Sequence, residues 1–423
     1  MSESLAILGG PKAVQGDWSD VCRWPIITEE DEMAVLDVLR SGNMSGTDVT
    51  KLFEEEFGSY FGMPYCLAHC NGTAALLAAM WACEVGVGDE IICPSITYWA
   101  SALPAFSLGA TAVFADVDLD TLNIDPGDIE HRITDRTKAI VVVHYCGYPC
   151  EMAAIMELAR EHEIKVIEDV SHAQGSLYKG VLTGSIGDVS AMSLMSGKSL
   201  VAGEGGMLVT RERRIWERAV AFGHYERHEE LTEADLVPFK GYPQGGVKHR
   251  INQIASALGR VQLKYYQERI EEIQRAMNAF WDRLEGCPGV KAHRPPKDSG
   301  STMGGWYAAK GLYRPEELGG LDVERFCEAV REEGCGTYPR ANTPMHLHPV
   351  TNTCDVYGHG KPTRIAHSDW DLRQGPGSLP RSETVATHCF SIPHLKKYDE
   401  GAIQELASAF RKVAENADRL LEG

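Results

Sequence analysis

The sequence predicts an α/β protein with a mainly parallel sheet covered by helices on both faces, followed by a smaller α+β unit. Three observations carry this. Short apolar runs alternate with helical stretches from about residue 65 to residue 209, the pattern of successive βα units. The runs are short and apolar, as strands buried on both faces are. Beyond Gly245-Gly246, a long helical pattern gives way to mixed short strands and helices.

In chain order, residues 1–50 read as an arm and one helix. Thr28-Glu29-Glu30-Asp31 places a cap and acids ahead of the periodic run 33–39, a helix-start signal. Strands are expected at 90–93, 111–115, 139–144, 165–168, 189–194 and 207–209, with helices at 73–83 and 152–162 among them. Residues 91–115 form the longest uncharged stretch, long enough to suggest a membrane span. Pro94, Pro104 and Gly109 within it favour strand–loop–helix–strand instead. A helix is expected over 252–284, punctuated by Pro288 and Pro295-Pro296. Residues 354–381 are rich in Gly, Pro and His and read as loop, and a final amphipathic helix covers 399–421. The expected division is an arm and helix (1–50), a large α/β domain (51–285) and a small α+β domain (286–423).

Composition narrows the function. The chain has 423 residues, 43% hydrophobic and 24% charged, as globular proteins do. Its formal net charge of −19 argues against a non-specific nucleic-acid or anionic-membrane surface. Residues 1–10 lack a basic segment and a long apolar run, so no secretory signal is expected. The 12 cysteines are then read as reduced thiols in a cytoplasmic protein. Cys66-x3-Cys70 and Cys146-x3-Cys150 lack zinc-site spacing, and no metal is expected.

Three motifs carry chemistry. In the first, a strand ending near Leu194 runs into small residues around Lys198, then Gly203-Glu204-Gly205-Gly206 and another strand. A lysine set among small residues at a strand end can be a buried amine with a lowered pKa, able to form a Schiff base; a solvated turn lysine is the competing reading. In the second, the strand Val166-Ile167 ends in Glu168-Asp169, placing Asp169 at the carboxyl edge where α/β sheets bind ligands. A carboxylate there can keep a pyridinium nitrogen protonated, or can bind a metal or cap a helix. In the third, Asn71-Gly72-Thr73-Ala74 opens an Ala-rich helix, whose free N–H groups and dipole suit a phosphate; an ordinary cap reads the same way. Tyr98 and Trp99 follow a strand, where either could stack on a planar ring.

Phosphate cradle, stacking aromatic, ring-nitrogen acid and Schiff-base lysine, in that order, describe a site for pyridoxal 5′-phosphate (PLP). From about Pro25 to Leu420, and most densely over 70–265, the chain resembles the DegT/DnrJ/EryC1/StrS aminotransferases. The element Ser193-x4-Lys198-x-Leu200-x2-Gly203-Glu204-Gly205-Gly206 carries the likeness most specifically. The resemblance implies a fold type I PLP-dependent transferase with a mostly parallel seven-stranded sheet. By the same likeness Lys198 is the covalent PLP lysine, Asp169 the acid paired with the pyridine nitrogen, and His172 the neighbour of the 3-oxygen. Ser193 and the helix start Gly72, Thr73 and Ala74 match phosphate ligands. Tyr98, ahead of Trp99, matches the stacking aromatic. Lys248 falls where the family reaches the phosphate of the neighbouring subunit, which implies a homodimer. His346 and Tyr338 match a substrate-side loop. The pair His346-x-His348 is a weak metal alternative.

The resemblance implies a ping-pong transfer of an amino group from L-glutamate or L-glutamine to a keto-sugar, cyclitol or related carbonyl. Two departures leave the acceptor open. Gly304-Gly305-Trp306-Tyr307-Ala308-Ala309-Lys310 replaces a His-containing family strand, and 225–245 is a long insertion, acidic in its first half. Competing readings are another PLP reaction (an aromatizing synthase, or a dehydratase, whose relatives carry His in place of the lysine), a broad-range amine transaminase, and a non-catalytic PLP-binding protein.

Overall fold

The computed structural model describes residues 4–421. Its strands are β1 Tyr65–His69, β2 Glu90–Pro94, β3 Thr111–Ala115, β4 Thr137–Val143, β5 Lys165–Asp169, β6 Leu177–Tyr178, β7 Val181–Leu182, β8 Val189–Ser193, β9 Gly206–Thr210, β10 Val290–Ala292, β11 Lys310–Tyr313 and β12 Cys389–Ser391. Seven of them form one sheet in the order β1-β9-β8-β5-β4-β2-β3. β9 runs antiparallel to both neighbours, and the remaining pairs are parallel. Alternate residues feed cores on opposite faces. Ile91, Cys93 and Val141 enter the core with the helix Gly72–Ala82, while Ile92, Ile140 and Val142 enter the one with the helix Met152–Glu161, the period of two that strands impose. The second sheet is small and antiparallel, β10-β11-β12.

The capping box at Thr28 forms as the sequence suggests. Thr28 N–H donates to Asp31 Oδ2 at 2.8 Å, and the helix runs Glu29–Ser41. The long helix does not run unbroken. It divides into Gln253–Lys264 and Tyr266–Arg283, with Tyr265 at φ −99°, ψ 3°. Neither proline nor glycine marks the break. Tyr266 is drawn into the core there, and its hydroxyl donates to the Gln174 carbonyl at 2.8 Å. Tertiary packing therefore overrides a helical pattern that is continuous in sequence.

Two irregular segments do structural work. Residues 354–381 lie along the edge strand β3. Phe114 N–H donates to Gln374 Oε1 at 3.1 Å, Gln374 Nε2 donates back to Phe114 O at 2.7 Å, and Arg364 Nε donates to Ala112 O at 2.8 Å. Side chains thus pair the backbone of an edge that would otherwise template another strand. The N-terminal arm joins the core built mainly by residues 273–420: Leu5 and Val21 are buried among Phe326, Phe390 and Phe410. Buried Glu333 accepts from the N–H groups of Ala6 and Ala13.

Candidate active site

The parallel strands all end at one edge of the large sheet, and antiparallel β9 begins there: Gly206 pairs with both His69 and Ser193. This edge gathers β1, β8 and the side chains that the sequence singles out on the turns beyond.

Lys198 sits in the β8–β9 connection, which backbone bonds close tightly (Leu194 N–H to Gly205 O, 2.8 Å; Ser196 N–H to Gly203 O, 2.9 Å). Trp24 Nε1 donates to the Lys198 carbonyl at 2.7 Å and pins the turn from the arm side. Lys198 is only 8% exposed, so the solvated-turn reading falls. Its Nζ lies 4.0 Å from the ring centroid of Tyr307. Burial pulls the amine down to about 8, partly opposed by the negative charge of Asp169. A buried amine with a lowered pKa is what nucleophilic lysine chemistry needs.

Asp169 ends β5. Ser101 Oγ donates to its Oδ2 at 2.7 Å and Ser171 N–H to its Oδ1 at 3.0 Å, while Thr97 Oγ1 lies 2.8 Å from Ser101 Oγ. Glu168 points away into a separate buried network with His144 Nε2 at 3.0 Å and the N–H groups of Gly184, Ile186 and Gly187. Alternation along the strand decides which acid reaches the site.

The helix start is pressed against β8. A Cβ on Gly72 would stand 2.7 Å from Ser193 Cβ, and one on Gly206 would stand 2.3 Å from Asn71 O. Asn71 caps the helix by accepting from Ala74 N–H at 2.8 Å, and earlier N–H groups have no intrahelical acceptor. Ser193 Oγ accepts from Met195 N–H at 3.3 Å, which leaves its hydroxyl proton to donate elsewhere.

His172 accepts at Nδ1 from the Cys146 N–H at 3.3 Å, so its ring proton is on Nε2. Burial, then the charges of Lys198 and Lys310, hold it well below the usual imidazole range. Cys146 adopts φ +55°, a left-handed conformation uncommon for a residue with a Cβ.

A family model described as the DegT/DnrJ/EryC1/StrS aminotransferase family matches residues 25–411. The chain belongs to this family. It is 30% identical over 430 residues to the L-glutamine:scyllo-inosose aminotransferase of Streptomyces griseus, covering 98% of this chain and 99% of that protein. It is 33% identical over 401 residues to the spore coat polysaccharide biosynthesis protein SpsC of Bacillus subtilis, covering 93% and 97%. The crystal structure of DesI with its TDP-sugar product superposes with a TM-score of 0.79 at 26% identity, covering 99% of this chain and 98% of that one. The DegT/DnrJ/EryC1/StrS enzymes are PLP-dependent aminotransferases, and the fold is their fold type I architecture.

The residues present fit the family's cofactor. The glycine at the helix start allows an approach that a side chain would block, a serine hydroxyl is free to donate beside it, and a carboxylate and an amine of lowered pKa stand beyond the ends of neighbouring strands. Tyr98 and Trp99 stay 52% and 42% exposed with ring centroids 5.0 Å apart, so either ring is open to a ligand.

Three further sequence candidates have contacts of their own. Lys248 is exposed, its Nζ 5.9 Å from the ring of Tyr225. Tyr338 lies under Arg331, 4.6 Å from ring centroid to guanidinium carbon. His346 is fully buried, with Nδ1 2.7 Å from Ser95 Oγ and Nε2 3.1 Å from Glu383 Oε1. Both ring nitrogens being engaged, His346-x-His348 is not a metal pair, and among the described residues no cluster of three metal-ligating side chains occurs.

The sequence reading connects the segment 304–310 with the acceptor but does not single out Tyr307. Gly304, Trp306 and Ala308 all have positive φ (51°, 53° and 50°). A Cβ on Gly305 would meet Ser199 Cβ at 2.2 Å. This knuckle is pressed against the lysine turn and holds Tyr307 over Lys198 and His172, the latter at 4.5 Å between centroids. The double glycine and the departure of 304–310 from the family strand were the signals available. Ser101 and Cys146 carried none.

Proposed function

We propose that this protein transfers an amino group from L-glutamine or L-glutamate to a keto-cyclitol or keto-sugar, with PLP attached to Lys198. The observation that carries the reading is the buried Lys198 amine, its pKa lowered to about 8, set beyond the strand next to the one that Asp169 ends. The S. griseus relative, named for L-glutamine and scyllo-inosose, supports the choice of donor and acceptor. Bound here, PLP supplies an electron-withdrawing ring that stabilises negative charge at the donor's α-carbon.

The chain's own residues do the rest. The hydroxyl of Ser193 and the N–H groups at Gly72 and Thr73, ahead of Ala74, hold the phosphate at a helix N-terminus. The Asp169 carboxylate, kept oriented by Ser101, holds the proton on the pyridine nitrogen. His172 offers a neutral Nε2–H beside the ring, and Tyr98 stacks on it. Lys198 would hold the cofactor through Nζ and, once free, its amine would take up the proton that leaves the donor's α-carbon. In this reading residues 51–285 carry the cofactor and 286–423 close over it, with Tyr307 as the facing wall. Lys248 faces outward and serves the site of a second copy in a homodimer. The 12 cysteines stand as free thiols, which supports a reducing, cytoplasmic setting.

The test is a half-reaction. PLP-loaded protein mixed with L-glutamine should lose the near-visible absorbance of lysine-linked PLP and release the keto acid. Adding scyllo-inosose should restore the band and yield the aminated cyclitol. Lys198→Ala should show neither change. A loaded wild-type protein indifferent to L-glutamine and L-glutamate alike would refute the donor assignment.

A further inference from the structure

Two cations on the wall facing Lys198 have no acid to balance them. Lys310 opens β11 and is 4% exposed; its Nζ donates to the Arg340 carbonyl at 2.5 Å, and it forms no ion pair among the described residues. Burying an ammonium without a carboxylate is costly unless a ligand supplies one. Arg340 is exposed and its guanidinium likewise has no carboxylate partner among the described residues, although the chain carries 60 acidic side chains to 41 basic ones. Geometry ties both to the site: Lys310 Nζ holds the Arg340 carbonyl, and two residues further on Asn342 Oδ1 accepts from the Tyr145 hydroxyl at 2.7 Å, with the Tyr145 ring centroid 5.7 Å from that of His172. The charge of Arg340 acts on Tyr307, whose ring centroid lies 4.0 Å from Lys198 Nζ. The charge of Lys310 acts on His172 and Cys146, the same two groups that feel Lys198.

We propose that Arg340 and Lys310 form a carboxylate subsite that takes the α-carboxylate of the amino donor, with Arg340 as the contacting group and Lys310 anchoring its backbone and adding charge from behind. The proposal rests on the aminotransferase reading and names how that site recognises its donor. The chemistry fixes the placement. In every α-amino acid the carboxylate is bonded to the carbon bearing the amine that exchanges with Lys198, so its receptor must stand beside Lys198. A neutral keto-cyclitol needs no such cation.

The experiment uses PLP-loaded enzyme and glutarate, which has the carboxylates of glutamate but no amine to react. Binding is followed by titration calorimetry and by perturbation of the near-visible band. Wild type should bind glutarate, and Arg340→Met should weaken that binding at least about tenfold, the scale of a charged hydrogen bond lost. Arg340→Lys should recover part of it. Lys310→Met should weaken it as well, and because Arg340 is exposed its variant folds independently of that buried change. The concentration of L-glutamine giving half-conversion should rise in parallel. Glutarate binding unchanged in Arg340→Met overturns the proposal. Unchanged glutarate and L-glutamine response together with a weakened acceptor half-reaction also overturns it, since the anion would then belong to the acceptor. Failure of the wild type to turn over L-glutamine would count against the functional reading, while the glutarate comparison would still decide whether the subsite exists.

Discussion

Replacing Lys198 by methionine should stabilise the cofactor-free protein, and the gain should depend on pH. In the unfolded chain the Lys198 amine titrates near its ordinary value of 10.5, whereas burial brings it to about 8 in the folded state. Between these values the unfolded chain binds the proton and the folded one does not, so stability rises with pH through that window. Below pH 8 both states are protonated and the folded state bears the whole cost of a buried ammonium. The interval corresponds to about 3 kcal/mol at 1.36 kcal/mol per pH unit. Methionine fills similar space without charge, and any packing difference adds an offset that pH does not change. Urea unfolding of both proteins from below pH 8 to above pH 10.5 measures the difference. It should favour Lys198→Met by about 3 kcal/mol at the acid end and shrink toward the offset at the alkaline end. A difference that is flat across the window, or that grows with pH, would show that the amine is not buried as described and would remove the basis for its nucleophilicity.

The same burial predicts that the rate of PLP recombination with cofactor-free protein rises with pH through about 8; at pH 7 about one amine in ten is neutral, against about one in three thousand for an ordinary lysine, and a rate still climbing steeply above pH 10 would contradict it. Gly72→Ala puts a Cβ 2.7 Å from Ser193 Cβ and should cost about 1–3 kcal/mol while weakening retention of PLP, both measurable by thermal melts with and without cofactor. His346→Ala leaves Ser95 Oγ and Glu383 without their shared partner and should destabilise by about 1–3 kcal/mol in chemical denaturation. Gln374→Ala removes both bonds to Phe114, so the Phe114 amide should exchange with deuterium markedly faster while amides of central β4 keep their protection.

The sheet was legible because its strands are uninterrupted apolar runs such as Ile91-Ile92-Cys93 and Val141-Val142-Val143, where burial on both faces allows little else. Lys198, Asp169 and Gly72 could be picked out for a related reason. Each is a chemically distinctive residue at the end of such a run, and parallel strands bring their ends to one edge. The seven-strand count and the roles of His172 and Ser193 came from the family likeness instead. What stayed hidden depends on contacts between distant segments. The break at Tyr265 follows from where Tyr266 finds the Gln174 carbonyl. The burial of His346 depends on Ser95, which precedes it by 251 residues. Tyr307 is placed by left-handed residues at Trp306 and Ala308, conformations that neither residue type advertises.

The arm that carries Leu5, Val21 and Trp24 also has a consequence for synthesis. Strands β1 to β9 are complete by Thr210, so the large sheet can assemble while the chain is still being made. Leu5 and Val21 must wait, because the surfaces they cover come from residues as late as Phe410. At ribosomal speeds of about 5–20 residues per second, the delay between translating the arm and its landing place is roughly 20–80 s. Trp24, which grips the Lys198 carbonyl, also lies under Lys396, whose Nζ stands 4.4 Å from its ring centroid, so its seat is complete only once that residue is made. The turn that bears the reactive amine is therefore finished late, by residues made well before it, and a product truncated ahead of Phe410 would carry the lysine with its brace unseated.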